Sequence, residues 1–433
     1  MNQHNKIFAL VDVNNCYVSC ERVFNPKLNE QPVIVLSNND GCAVSRSQEA
    51  KEIGIKMGAP FFKIKDIVEQ YNVKVLSSNY KLYAEMSKRF HSILGGYVSP
   101  HEQESYSIDE AFLDLTAYQQ KFNLNDYAQH MRARILKWIG LPVCVGIGRS
   151  KTEAKIANHL AKTYKKFNGV CNLAYLDETT KNSLLQNIDV NEVWGIGRKN
   201  TERLKALGIQ TAYDLKYSDP TYIRKLFNIV MARTVSELQG TSCLAIENQP
   251  PAKQQIISSK SFGHRVTDIY SLSEAMSDYL QSAVKRLRDD KSLCGCIIIF
   301  AESNPFDKNR PFFKKSINIG FDEPTDSSSL MNRAVLEKIH LLFKDGVEYK
   351  KCGIILTCLE SKESFIPDLL SNLNTLEKNE NIQSVLESVK EKYGDKFLAI
   401  GSSKLPNRSW KMSRDSLSQD YFSWDGLLVV DRF

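Results

Sequence analysis

The 433-residue sequence predicts an α+β chain of several domains, and three observations carry that expectation. Short apolar runs alternate with polar helices through the first third. A set of short helices broken at Gly195, Gly197, Gly208 and Gly240 follows. Beyond Gln249-Pro250-Pro251, strands and helices come in βαββαβ order. Hydrophobic residues make up 42% of the chain, enough for ordinary cores and far from the composition of a disordered polymer.

Taken in order, Ile7–Val11 and Val33–Leu36 read as buried strands that end in polar turn residues. Gln103–Leu115 reads as a hairpin or strand pair, and Leu141–Ile147 as another strand. Ser150 stands three residues before Glu153, the spacing of a capping box that opens a helix. Lys151, Lys155 and Lys162 follow at offsets of four and seven, on one face of that helix. Pro250-Pro251 makes a stiff joint that no helix crosses, the best interdomain linker in the chain. Past it the pattern predicts strand 254–262, helix 272–290, strands 294–301 and 312–321, helix 327–345 and strand 352–359. That order folds as a four-stranded antiparallel sheet with two helices on one face. Residues 361–433 carry a weaker pattern, with a helix near 376–392 and a tail holding Trp410, Tyr421, Phe422 and Trp424.

Composition removes several function classes. No apolar run approaches 18 residues, so no membrane span is expected. The polar start, Met1 to Lys6, lacks the features of a secretory signal, and cytoplasm is the expected compartment. The ten cysteines form no CxxC pair and have no histidine at ligand spacing, which predicts reduced thiols and neither structural zinc nor disulfides. The net charge of +7 is concentrated: residues 121–240 sum to +9, whereas 1–120 sum to −2. Such a patch suits a polyanionic partner, but it equally describes a solvated helix face, and charge alone does not choose.

Three carboxylates stand out. Asp12 ends a buried strand, and Asp109 and Glu110 lie in a second strand-like segment. If the strands are neighbours, the three converge, and like charges so close need a cation between them. Oxygen-only ligands select Mg²⁺ or Mn²⁺, and two such ions form the clamp used in nucleotidyl transfer. Taken alone, the residues favour a plainer reading, a turn cap and a solvated hairpin tip. Trp194-Gly195-Ile196-Gly197, followed by Arg198 and Lys199, has the glycine spacing that aims backbone N–H groups at a phosphate beside a helix N-terminus.

Phe8-Ala9-Leu10-Val11-Asp12-Val13-Asn14-Asn15-Cys16-Tyr17-Val18-Ser19-Cys20-Glu21 resembles the opening motif of the Y-family DNA polymerases, and Ser107-Ile108-Asp109-Glu110-Ala111 is similar to that family's second catalytic motif. Leu36-Ser37-Asn38-Asn39-Asp40-Gly41-Cys42, Val193-Trp194-Gly195-Ile196-Gly197-Arg198 and Ser259-Lys260-Ser261-Phe262-Gly263 resemble the UmuC-like branch. The match runs in register from about residue 6 to 360, and several motifs in order weigh far more than one. The resemblance implies a right hand: palm and small fingers over 1–183, a helix-hairpin-helix thumb over 184–245, a little finger over 252–360 and a partner-binding tail over 361–433.

By the same resemblance, Asp12, Asp109 and Glu110, with the Val13 carbonyl, hold two Mg²⁺ ions, for which Mn²⁺ can substitute. Tyr17 is the steric gate under the sugar of the incoming dNTP. Asn15, Cys16, Tyr17, Ser45, Arg46, Lys51 and Lys162 surround that nucleotide, and Gly195, Gly197, Arg198, Lys199 and Lys260 touch DNA. The sequence departs from the wider family at Asn14, where a second acid is common, at Gln48, which replaces a tyrosine, and at Lys51, which replaces an arginine. Lysine offers a point charge in place of a bidentate fork.

The implied activity is error-prone translesion synthesis in the SOS response, with primer-template DNA, dNTP, a processed UmuD-like dimer, RecA and the sliding clamp as partners, in a bacterial cytoplasm and at the nucleoid when bound to DNA. The clamp peptide expected after the little finger corresponds to Phe365-Ile366-Pro367-Asp368-Leu369-Leu370, which lacks the usual leading Gln and final Phe; Ile366, Leu369 and Leu370 serve either as weak clamp anchors or, equally, to dock the tail against the little finger. A second reading, a DNA-binding accessory protein of the same fold without polymerase activity, is opposed by the three intact carboxylates. A cyclase on a related palm is weaker still, since it would need neither hairpin nor little finger.

Overall fold

The computed structural model describes residues 6–247, 252–307, 309–366, 373–393 and 410–423. The chain divides into two compact units, one of Met1–Ser37, Gly41–Pro250 and Ser416–Phe433, the other of Asn38–Asp40 and Pro251–Asp415. The proline joint at 249–251 lies outside the described residues.

In the first unit, β1 (Phe8–Val13) is an apolar run broken only by Asp12. It is followed by α1 (Cys16–Phe24), β2 (Val33–Leu36), β3 (Ala43–Arg46), α2 (Gln48–Glu52), α3 (Lys65–Gln70), β4 (Lys74–Ser77) and α4 (Tyr80–Leu94). Then come β5 (Gln103–Ser105), β6 (Glu110–Asp114), α5 (Leu124–Ile139), β7 (Val143–Gly148), α6 (Lys151–Thr163) and β8 (Val170–Asn172). Two sheets result, a five-stranded one in the order β5-β6-β1-β7-β8 and a three-stranded one in the order β3-β2-β4. Central β1 pairs antiparallel with both neighbours, Asp12 facing Glu110 on β6 and Cys144 on β7.

One close approach fixes where α6 lies. A Cβ on Gly146 would run into the backbone of Ala154 and Asn158, so only glycine lets α6 sit directly on β7. Asn158 then reaches through to the main chain, its amide donating to Leu10 O at 3.3 Å and Cys144 O at 2.8 Å. The Ser150 hydroxyl caps α6 as expected, accepting from the Glu153 N–H at 3.1 Å. The reciprocal half of the capping box is not made. Glu153 instead accepts from the Arg149 N–H at 2.7 Å and pairs with Lys181 at 3.1 Å, because the lysine draws the carboxylate away from the cap.

Short helices α7 (Glu178–Gln186), α8 (Arg198–Ala206), α9 (Ala212–Lys216), α10 (Pro220–Leu226) and α11 (Ile229–Leu238) follow. Fully buried Glu237 on α11 binds them to the sheet layer: its carboxylate accepts from the Thr152 N–H and hydroxyl and from the N–H groups of Cys243 and Leu244.

The second unit holds β9 (Ile256–Val266), α12 (Ile269–Asp289), β10 (Ser292–Glu302), β11 (Lys314–Thr325), α13 (Ser328–Leu342), β12 (Tyr349–Ser361) and α14 (Leu373–Tyr393). Its four strands pair antiparallel in the order β11-β10-β12-β9. Leu272, Met276, Tyr279, Leu280, Val284 and Leu287 of α12 form an apolar stripe of helical period, buried with Ile297, Ile299, Ile354 and Leu356 of the sheet. The anticipated βαββαβ elements are all present, and β9 runs four residues beyond its expected end.

Candidate active site

The end of β1 and the start of β6 bring the first two motifs together. Val13 donates its N–H to Asp109 O at 2.9 Å, while Asp12 and Glu110 are register partners. The three carboxylates have different immediate company. Asp12 Oδ1 pairs with Lys162 Nζ at 2.7 Å, Glu110 Oε1 pairs with Lys155 Nζ at 2.8 Å, and Asp109 Oδ1 accepts from the Ser107 hydroxyl at 2.8 Å. Burial pushes the Asp12 carboxyl up to about 6 against the pull of Lys162, with the charges of Glu110 and Asp109 adding to the rise. A carboxylate so crowded is short of positive charge.

The basic face of α6 therefore runs from a buried end at Lys151 to an exposed one at Lys162, paired with acids along its length. Lys151 is buried against Glu104, Lys155 meets Glu110 and Lys162 meets Asp12, one acid for each lysine down the helix. Lys155 went unremarked in the sequence beyond its helical face. It lies over the rings of Tyr106 at 4.5 Å and Trp194 at 5.3 Å, which are themselves joined by the indole N–H donating to the Tyr106 hydroxyl at 3.2 Å. The signal was its spacing of seven from Lys162.

A cavity of about 370 Å³ opens beside Asp12 and Asp109. Val13, Asn15, Cys16, Tyr17, Ser45, Arg46, Lys51 and Lys162 line it, together with Val44, Met57 and Ile108, which the motifs did not single out. Glu110 is not in its wall. Asn15 begins α1 in the left-handed conformation, with φ of 49°, and this turn swings Cys16 and Tyr17 towards the cavity. The Ser45 hydroxyl ties β3 to that turn, accepting from the Val18 N–H and donating to Asn15 O, both at 3.4 Å. Burial, then the charges of Arg46 and Lys162, hold the Lys51 ammonium below its usual range. Arg46 donates Nη1–H to Ile55 O at 2.8 Å, and its buried Nε has no partner among the described residues. Three cations in one wall make an anion site. Hydrogen bonding with Cys20, and then burial, push the Cys16 thiol far up from its usual range.

Tyr17 lies face to face on Tyr83, centroids 4.1 Å apart and planes 10° from parallel, and burial pushes its phenol up to about 12. Gly195 takes a φ of 85° and Gly197 N-caps α8, leaving Arg198 and Lys199 exposed on the first turn. In the second unit Lys260 is exposed on β9, its ammonium over the Tyr279 ring at 5.2 Å. Ile366 is 85% exposed, and Leu369 and Leu370 lie outside the described residues.

Residues 11–159 match the impB/mucB/samB family, 253–369 its C-terminal domain, and 179–209 the helix-hairpin-helix motif of the same family. The chain is 41% identical to protein UmuC of Salmonella typhimurium over 425 residues, 96% of this chain and 97% of that one. It belongs to the UmuC branch of the Y-family DNA polymerases. Protein ImpB of Salmonella typhimurium is 37% identical over the same shares of both chains, and DNA polymerase IV 1 of Bacillus subtilis is 27% identical over 429 residues. Among solved structures, a Y-family polymerase chimera of Dbh and Dpo4 covers 82% of this chain and 99% of its own, with a TM-score of 0.66 at 21% identity, which speaks for the fold. As a Y-family member the chain is a DNA-directed DNA polymerase of translesion synthesis in SOS mutagenesis. Among the described residues, no helix is long and apolar enough to cross a membrane.

Proposed function

We propose that this UmuC-type polymerase adds nucleotides in the 370 Å³ cavity, and that Asp12, Asp109 and Glu110 are its catalytic carboxylates. The observation that carries the reading is the meeting, in one cavity wall, of crowded carboxylates with Arg46, Lys51 and Lys162. Among the described residues no group of histidine, cysteine or acidic side chains stands ready-made for a metal. The donor set still suits Mg²⁺ or Mn²⁺: Asp12, Asp109 and the Val13 main chain supply hard oxygens, and Glu110 joins them by leaving Lys155. When bound, two such ions lower the pKa of the primer 3′-OH and stabilise the departing pyrophosphate.

The chain's own residues do the rest. Arg46, Lys51 and Lys162 neutralise the triphosphate. Tyr17, backed by Tyr83, closes the space that a ribose 2′-OH would need. Backbone N–H groups at Gly195 and Gly197, with Arg198 and Lys199, take template or primer phosphates without reading bases, and Lys260 adds a further phosphate contact. Positioning and charge then account for most of the acceleration.

A processed UmuD-like dimer, RecA and the sliding clamp are the proposed partners, in a bacterial cytoplasm at the nucleoid. Exposed Ile366 supports the segment ending in Leu369 and Leu370 as a clamp peptide. Primer extension across an abasic site, with and without these partners, tests the whole reading. Extension that needs Mg²⁺ is expected. Failure to extend an undamaged template with every partner present would replace it with the accessory role.

A further inference from the structure

The segment Ser416–Ser423 is packed into the first unit, at the edge of the three-stranded sheet. Ser77 N–H donates to Ser416 O at 2.9 Å, and Ser416 N–H donates to the Ser77 hydroxyl at 3.0 Å. Asn79, which caps α4 through its Oδ1, uses its amide to hold Ser418 Oγ at 2.9 Å and Gln419 O at 3.1 Å. Further on, Tyr421 stacks on Phe24 of α1, centroids 4.6 Å apart, and Asp420 pairs with Lys81 at 2.9 Å. The clasp thus grips α1 and α4, the helices that carry Tyr17 and Tyr83.

On α1 itself, one turn beyond Tyr17, stands Glu21, 1% exposed. Among the described residues no lysine, arginine or histidine pairs with it, an unusual state for a buried carboxyl. Two hydroxyls donate to its Oε1: Tyr83 from below the gate ring at 2.7 Å, and Ser418 from the clasp at 3.1 Å. Burial pushes the Glu21 carboxyl up from its usual range, against these two hydrogen bonds. The hydroxyl of Tyr83 is therefore anchored to an acceptor that the clasp itself covers, and the face of Tyr83 supports Tyr17.

We infer that Glu21 and Tyr83 are positioning residues for sugar discrimination, and that Ser418 of the C-terminal clasp sets how firmly they hold the Tyr17 ring. The inference rests on Tyr17 being the steric gate. A gate excludes a 2′-OH only if the ring cannot tilt away at low cost, and a stacked partner fixed at its far end removes that freedom. Loss of the clasp hydroxyl opens Glu21 to water, gives its carboxylate a competing donor and loosens the stack. The ring then yields to a ribonucleotide, while a deoxynucleotide, which never presses on it, is added as before.

The test is single-nucleotide insertion by the full chain with its partners, measuring kcat/KM for each rNTP and dNTP. Loss of one hydrogen bond in Ser418→Ala or Tyr83→Phe should raise the ribo-to-deoxy ratio by about threefold. Loss of the supporting ring in Tyr83→Leu should raise it by about tenfold or more. Ser418→Ala keeps its dNTP kcat/KM, and Ser418→Thr, which retains a hydroxyl, restores the wild-type ratio. Melting curves identify any variant that fails to fold, and the two mild substitutions keep the test decisive if Tyr83→Leu does so. A wild-type ratio in Ser418→Ala and Tyr83→Phe, beside a raised ratio in Tyr17→Ala, overturns the positioning role and leaves the gate standing. A wild-type ratio in Tyr17→Ala removes the gate itself.

Discussion

The two units bury different things. Of the charged residues buried among the described positions, Glu21, Glu104, Lys151, Glu153, Lys181, Lys216 and Glu237 belong to the first unit, and Asp326 alone to the second. In the second, the α12 stripe meets the aliphatic strands, and burial of apolar surface is sufficient reason for its shape. In the first, ions and their hydrogen bonds lock α6 to the sheet and α11 to α6. Buried ion pairs are a poor source of stability, but they admit only one geometry. The first unit, whose cavity wall gathers carboxylates and cations, accepts that exchange, whereas the second, with its largely apolar core, has no need of it.

This contrast breaks if the polar interior of the first unit proves dispensable. The largest effect is on chemistry: Asp109→Ala should lower the rate of nucleotide addition by about a thousandfold, several kcal/mol of transition-state stabilisation, with primer-template affinity largely kept. Single-turnover extension and a binding titration separate the two. Next is Glu237→Ala, which leaves the N–H groups of Thr152, Cys243 and Leu244 without their acceptor and should destabilise the first unit by about 4 kcal/mol. Ile299→Val, a one-methylene change in the second unit, should cost only about 1 kcal/mol there. Hydrogen exchange read unit by unit distinguishes these outcomes, and equal losses would dissolve the contrast.

The electrostatic cost of the site should also be visible in pH dependence. Asp12 titrates near 6 in the folded, metal-free chain against 3.8 in the unfolded one, so the folded state holds its proton longer. Stability therefore falls as pH rises between those values, by about 3 kcal/mol at most. Asp12→Asn removes that slope, and the difference between the two melting-versus-pH curves measures it. A smaller effect divides DNA binding between the units. Replacing Arg198 and Lys199 with alanine should flatten the dependence of log K on log salt by about 2, and Lys260→Ala by about 1. A slope unmoved by the first pair would take the hairpin off the DNA.

The second unit was legible almost element by element, because periods of two and of 3.6 are local properties and its apolar residues follow them with little interruption. The motifs of the first unit were equally visible as residue types: Asp12, Asp109, Glu110, Tyr17 and the α6 lysines stand at spacings any reader can count. Their company was not. That Asp12 faces Glu110 depends on strands almost a hundred residues apart choosing each other, and no local pattern encodes that choice. The α6 lysines read as a solvated stripe or a polyanion site until the sheet placed one acid against each. The tail shows the limit most plainly. Nothing in the order of residues 416–423 announces a clasp, since the segment has neither helical nor strand period. Glu21 stands in the sequence only as the last residue of the opening motif, and its burial is decided by Ser418, 397 residues later, which covers it. Propensity and periodicity are written in neighbouring residues, but burial is decided by whatever the rest of the chain lays on top, and with it the charge, the hydrogen bonds and the work each side chain can do.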